Sequence, residues 1–226
     1  MAGGREMIEV LYEDNHLLCV VKPVNVPVQE DSSHDTDLLT MCKSYLKEKY
    51  NKPGNVFLGL VHRLDRPVGG VMVFAKTSKA ASRLSDSIRR NRFHKEYLAV
   101  TDGIPPEKGT LVDYLVKDHQ KNMVRTTDEA HGKKSILHYE VLSAKEKKAL
   151  VLIQLETGRS HQIRVQFSSR GYPLHNDHRY NKNVTKGTIS LYAYQLTFPH
   201  PVTGELVTIR KKPPAKEPWN IFEVNL

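Results

Sequence analysis

LGLVHRLDRPVGGVMVFAKT, residues 58–77, decides how this chain is read. An apolar run leads into it and another leads out. Between them stand His62-Arg63-Leu64-Asp65-Arg66, then Pro67 and the pair Gly69-Gly70. Two short β-like runs joined by a loop rich in Pro and Gly predict a hairpin or a tight strand connection. The charged residues fall at its tip, where a rigid scaffold can present them. Asp65 has Arg63 two residues before it and Arg66 directly after it. Nearby positive charge keeps a carboxylate ionised at neutral pH, the state needed of a nucleophile or an oriented acceptor. A solvated ion pair on a turn would show the same pattern.

Outward from this stretch, the chain alternates short apolar runs with turns. Ile8 to Tyr12 and Leu17 to Val21 read as strands around a Glu13-Asp14-Asn15 turn. KPVNVPVQ, residues 22–29, reads as an extended structural loop, with Asn25 at a place that tolerates a left-handed backbone. Thr36 to Tyr50 predicts a helix capped by Asp35 or Thr36, with Leu38, Leu39, Cys42, Tyr45 and Leu46 on one face. Ser78 to Arg90 predicts a second, capped by Thr77 or Ser78. It runs into RRNRFHK, residues 89–95, a basic cluster that complements the helix dipole and also suits phosphate.

Lys95 to Gly103 and Thr110 to Lys117 read as strands, and residues 117–134 as a polar, basic surface loop. Ser135 to Leu142 and Ala149 to Leu155 predict a hairpin, with residues 143–148 as its connection. Ser160 is the expected cap of a helix reaching about Arg170, with Gly171 as its stop. Ile163 and Phe167 fall on its buried face, while His161 and Arg164 point together. Ile189 to Phe198 and Leu206 to Ile209 predict a last hairpin. His175, Asp177 and His178 resemble a metal set only in part, since no third ligand of fixed spacing follows.

The chain has 226 residues, 34 Lys+Arg against 25 Asp+Glu and a formal charge of +9, which favours a polyanionic partner, nucleic acid before a membrane surface. Two cysteines, Cys19 and Cys42, make no disulfide framework. No apolar run approaches the roughly 18 residues of a membrane span, and the amino terminus lacks the pattern of a signal peptide. A reducing cytoplasm is the expected compartment.

HRLDRPVGGVMVFAKTS resembles, nearly letter for letter, the signature of the RluA-type pseudouridine synthases. Four further elements agree: KPVNVPV with Asn25 in a glycine position, KEYLAV, TGRSHQIR, and the turn HPVTGE. HNDHRY departs mildly, with Asn176 where the family usually has glycine, and keeps Asp177 and Tyr180. The resemblance implies the pseudouridine synthase fold, an α+β architecture with a large, mostly antiparallel mixed sheet flanked by helices and a central active-site cleft. The expectation is one catalytic domain over residues 1–226, without the S4-type domain that often precedes it, and a monomer.

The resemblance further implies isomerisation of uridine to pseudouridine in structured RNA, ribosomal or transfer RNA or both, with no cofactor and no metal. It makes Asp65 the catalytic residue, Tyr97 the platform for the base, Arg164 the partner of Asp65, and Arg63 the holder of the flipped state. Arg89, Arg90, Arg92, Lys95 and Arg159 are the candidates for RNA backbone contacts. A non-catalytic RNA-binding module would use the same basic surface, but gives no reason for a carboxylate at its centre. A nucleotide hydrolase would need a phosphate loop or metal cluster that the sequence does not offer.

Overall fold

A computed structural model describes residues 8–224 and residue 226. The first seven residues of the amino-terminal stretch read for a signal peptide lie outside the described residues. Among the described residues, eleven strands and three α-helices make an α+β fold, as expected. The chain divides into two compact units, residues 8–93 with 196–211, and residues 94–195 with 212–226.

The first unit is built on β1 (Glu9–Glu13), β2 (Leu17–Lys22), β3 (Gly59–Leu60) and β4 (Gly69–Ala75). LLCVV and VMVFA are continuous apolar runs rather than alternating ones, and both are buried on both faces. β2 and β3 each pair antiparallel with β4, so Leu17 faces Ala75 and Lys22 faces Gly70. The expected hairpin across residues 58–77 therefore forms, with residues 61–68 as its loop. Helix α1 (Leu38–Lys49) buries Leu38, Cys42 and Leu46. Its cap is Asp37, which accepts from the Thr40 amide at 3.0 Å, not Asp35 or Thr36. Helix α2 (Ser78–Arg89) starts at the Thr77 cap. Ala80 and Leu84 join Leu17, Cys19, Val71, Val73, Phe93 and Phe198 in one core cluster.

The second unit holds β5 (His94–Asp102), β6 (Lys108–Asp118), β7 (Met123–Thr127), β8 (Lys133–Lys145) and β9 (Lys148–Leu155) in the order β5-β9-β8-β6-β7, all antiparallel. Several expectations fail here. Residues 117–134 are not all loop, since β7 pairs along the edge of β6. The β8–β9 connection is not six residues but two, Glu146 and Lys147, both with positive φ (54° and 59°), as a twisted two-residue hairpin requires. Helix α3 (Gln162–Ser168) is shorter than expected, and Ser160 does not cap it; His161 precedes it at φ 50° with no side-chain cap. Gly171 takes the expected left-handed conformation, φ 82°. The last hairpin comprises β10 (Leu191–Pro199), whose residues divide between the units, and β11 (Leu206–Arg210).

Candidate active site

The loop that carries Asp65 is fixed from below. Antiparallel register brings the end of β2 to the start of β4, and so places Lys22 under residues 66–68. Its side chain is fully buried, and its ammonium donates to the carbonyls of Pro23 (2.9 Å), Arg66 (2.9 Å) and Val68 (2.8 Å). An ammonium has three protons, and each has an acceptor. Burial pulls the Lys22 pKa down to about 7, against the pull of the Asp65 carboxylate.

Further anchors close the same loop. The Val68 amide donates to the Asp65 carbonyl at 2.9 Å and makes the turn. The Val73 amide donates to His62 Nε2 at 3.1 Å, so that nitrogen carries no proton. The His62 ring rests 5.5 Å from Phe93, which stacks on Phe198 at 5.0 Å. Leu64 is buried. Between these tethers Asp65 is half-buried and Arg63 is exposed.

Arg66 is not the partner that its place in the sequence suggested. Its guanidinium reaches the carboxylates of Asp31 and Asp35 and the Ser33 hydroxyl (2.8 Å), and so ties the loop after KPVNVPVQ to the loop of Asp65. The cation that this unit sets against Asp65 includes Lys22, which sequence reasoning passed over as part of a structural loop. The signal was present as a lysine closing an otherwise wholly apolar strand. Asn25 takes φ 63°, and Asn176 φ 57°, so both asparagines adopt the left-handed backbone expected where the resemblance implies glycine.

In the second unit Tyr97 lies on β5 opposite Ile153 and is 7% exposed. It points to the face opposite Leu98 and Val100, which pack on Leu150 and Tyr194. Arg164 is buried on α3 rather than solvated. It donates through Nε (2.9 Å) and Nη2 (2.7 Å) to both oxygens of Asp177, a bidentate pair. Its guanidinium carbon stands 5.2 Å over the Tyr180 ring. Tyr180 in turn receives the Val124 amide at 2.8 Å and shares a hydrogen bond with His161 Nδ1 at 2.7 Å. Asp177 and Tyr180 are thus the groups that orient Arg164.

The histidines near Asp177 serve other ends. His175 engages Asp102 at 2.8 Å and His178 the Gly187 carbonyl at 3.0 Å. Among the described residues no three potential ligands group for a metal.

The basic candidates fall into different settings. Arg89, Arg90 and Arg92 are exposed and converge on the single carboxylate of Asp86. Lys95 does not belong to that helix end; it is the second residue of β5, half-buried, and burial lowers its pKa. Arg159 is exposed and donates through Nε to the Lys134 carbonyl at 3.3 Å.

Residues 16–169 match the family described as RNA pseudouridylate synthase. An uncharacterized RNA pseudouridine synthase of Bacillus subtilis, YhcT, is 31% identical over 92% of this chain and 69% of its own length. The ribosomal large subunit pseudouridine synthase D of Zymomonas mobilis is 29% identical, over 88% of this chain and 67% of its own. The chain spans about two thirds of the length of these relatives. Among solved structures, human RNA pseudouridylate synthase domain containing 4 shares the fold, with a TM-score of 0.78 and 23% identity over 91% of this chain and 88% of that one.

Proposed function

The chain belongs to the RNA pseudouridylate synthase family, which isomerises uridine to pseudouridine in RNA, and on that premise we propose that Asp65 carries the reaction. The observation behind this is the tethering of its loop: a buried ammonium, a buried imidazole and a turn hold a half-buried carboxylate on otherwise irregular backbone. Rigid presentation of one reactive group is what a catalytic loop needs. In the reaction the N1–C1′ bond breaks and a C5–C1′ bond forms. The C5 proton leaves and N1 gains one, so no redox partner is required. Asp65 acts on the nucleotide either as a nucleophile or as a base at the ribose. A stacked target base must first be flipped out, at a cost of a few kcal/mol.

By motif, Tyr97 stacks on the flipped base, Arg63 holds the flipped state, and Arg164 pairs with Asp65 through a guanidinium that has five N–H donors in all. The names of the relatives make large-subunit ribosomal RNA the first substrate to test, and transfer RNA the second. The family match runs across the boundary between the two compact units, which supports reading them as parts of one catalytic domain. Two buried free thiols, with the Cys42 pKa pushed up to about 12 by burial, suit a reducing cytoplasm. A monomer is the simplest assembly.

Release of tritium from RNA carrying 5-tritiated uridine tests the reading, because only substitution at C5 frees that label. Asp65→Asn should abolish release and leave RNA affinity within about threefold. Activity within tenfold of wild type would remove Asp65 from the mechanism. Wild-type protein that binds RNA and releases no label would leave only a binding module. Tyr97→Leu and Arg164→Met should each lose turnover in the same assay; a wild-type rate in either cancels that assignment.

A further inference from the structure

A second basic feature lies wholly within the second unit, away from the loop of Asp65 in sequence. β6 pairs with β7 and β8 so that Lys117 faces Val124 and Leu115 faces Lys133. Directly opposed residues share a sheet face, as do residues two apart on one strand. Leu115, Lys117, Val124 and Lys133 therefore stand on a single face. Leu115 and Val124 are buried there against Val165 of α3 and Tyr180. The lysines rise from this apolar floor, beside the bare backbone at Gly158 and the exposed side chain of Arg159. The result is a groove of about 400 Å³ with an apolar floor and a cationic rim.

The charge of this rim is not cancelled. Lys117 and Lys133 make no ion pair among the described residues. Asp118 accepts from the amides of Gln120 and Lys121, and Asp128 from the His131 amide and ring. Arg159 uses its Nε on a backbone carbonyl, and that bond fixes the direction of its planar fork. An extended anion with some apolar surface is complementary to such a groove, and a sugar–phosphate strand has that character.

We propose that this groove is an accessory RNA-backbone subsite, which holds phosphodiesters outside the reacting nucleotide through Lys117, Lys133 and Arg159. The proposal rests on the reading of the chain as an RNA-modifying enzyme. The subsite serves affinity and placement of the RNA rather than chemistry. It also gives β7 a role, since that edge strand supplies Val124 to the floor.

The test compares two double variants of equal charge change. Lys117→Gln/Lys133→Gln empties the rim, and Lys43→Gln/Lys47→Gln removes two cations from a different groove, on α1. Binding of a fluorescein-labelled stem-loop transcript of large-subunit ribosomal RNA is measured from about 50 to about 300 mM NaCl. The rim variant should bind about tenfold more weakly at the middle of this range and flatten the slope of log K against log salt by about two. Arg159→Gln should flatten it by about one more. The α1 variant should keep the wild-type slope. Tritium release at saturating RNA should stay within twofold of wild type in both double variants. An unchanged slope in the rim variant overturns the proposal. So does an equal effect in both double variants, which would show net charge alone at work. A rate at saturation that falls with the affinity would overturn the accessory role. Wild-type protein that binds the transcript and releases no label would defeat the catalytic reading alone, because the slopes remain readable without turnover.

Discussion

A lysine with no solvent exposure and three carbonyl acceptors has one proton for each of them. Two of those carbonyls, at Arg66 and Val68, belong to the turn that follows Asp65. Lys22→Met keeps most of the volume and removes every donor. The buried carbonyls would then lack partners, and the cost should be about 2–4 kcal/mol of stability. The loop should also lose its register under Asp65, so turnover should fall by more than tenfold in whatever fraction remains folded. Urea unfolding and single-turnover tritium release on the same preparation check both parts. A variant as stable and active as wild type would reduce Lys22 to filler. Asp65 was legible because five adjacent letters spell its setting. Lys22 was not, because a lysine after LLCVV reads as a strand leaving the core, and only the β2–β4 register shows that it stays inside. Arg66 misled in the opposite way. Adjacency suggested a partner for Asp65, but its guanidinium turns to Asp31 and Asp35.

The elements were legible where burial is two-sided or strongly periodic, as in β2, β4, α1 and α2. The misses share a cause. MVRTT has one apolar residue buried on an edge, so its pattern is too weak to separate from a loop. Glu146 and Lys147 adopt positive φ without the Asn or Gly that usually signals such a turn. The start of α3 is set by side chains rather than by a cap. Gln162 accepts from the Thr157 hydroxyl (2.8 Å) and the Arg159 amide (3.0 Å) and donates to the Ile136 carbonyl (3.0 Å). Tyr180 then joins α3 to β7, because its hydroxyl takes the Val124 amide and hydrogen-bonds His161. Tyr180→Phe should cost about 1–2 kcal/mol, since the Val124 amide loses its acceptor in a half-buried place. Hydrogen exchange should speed up at Val124 and its strand neighbours more than in β9. Uniform protection across the sheet would show that β7 does not depend on this hydroxyl.

At the scale of the whole molecule, acid tolerance should report one carboxylate above others. Glu13, at the end of β1, accepts from the hydroxyls of Tyr45 (2.9 Å) and Tyr50 (2.6 Å) and from the ammonium groups of Lys49 (2.7 Å) and Lys76 (2.8 Å). It thereby joins the first strand to α1 and to the segment after β4. Burial alone would raise its pKa. The hydrogen bonds from Lys49, Lys76, Tyr50 and Tyr45 outweigh burial and hold it at about 2, below the ordinary 4.5. A carboxylate depressed in the folded state contributes stability in full above its unfolded pKa. That contribution is lost as pH falls from about 4.5 to about 2, where the unfolded chain takes up a proton that the folded chain refuses. Glu13→Gln keeps the shape and cannot titrate. It should lower the melting midpoint at pH 7 by about 3–6 °C. Between pH 4.5 and 3 the gap to wild type should narrow, because only wild type still has this contribution to lose. Thermal scans from pH 7 to pH 3 on both proteins decide it. Two curves separated by a constant interval across that window would show that the proton on Glu13 has no part in acid unfolding, whatever the hydrogen bonds to its carboxylate contribute at neutrality.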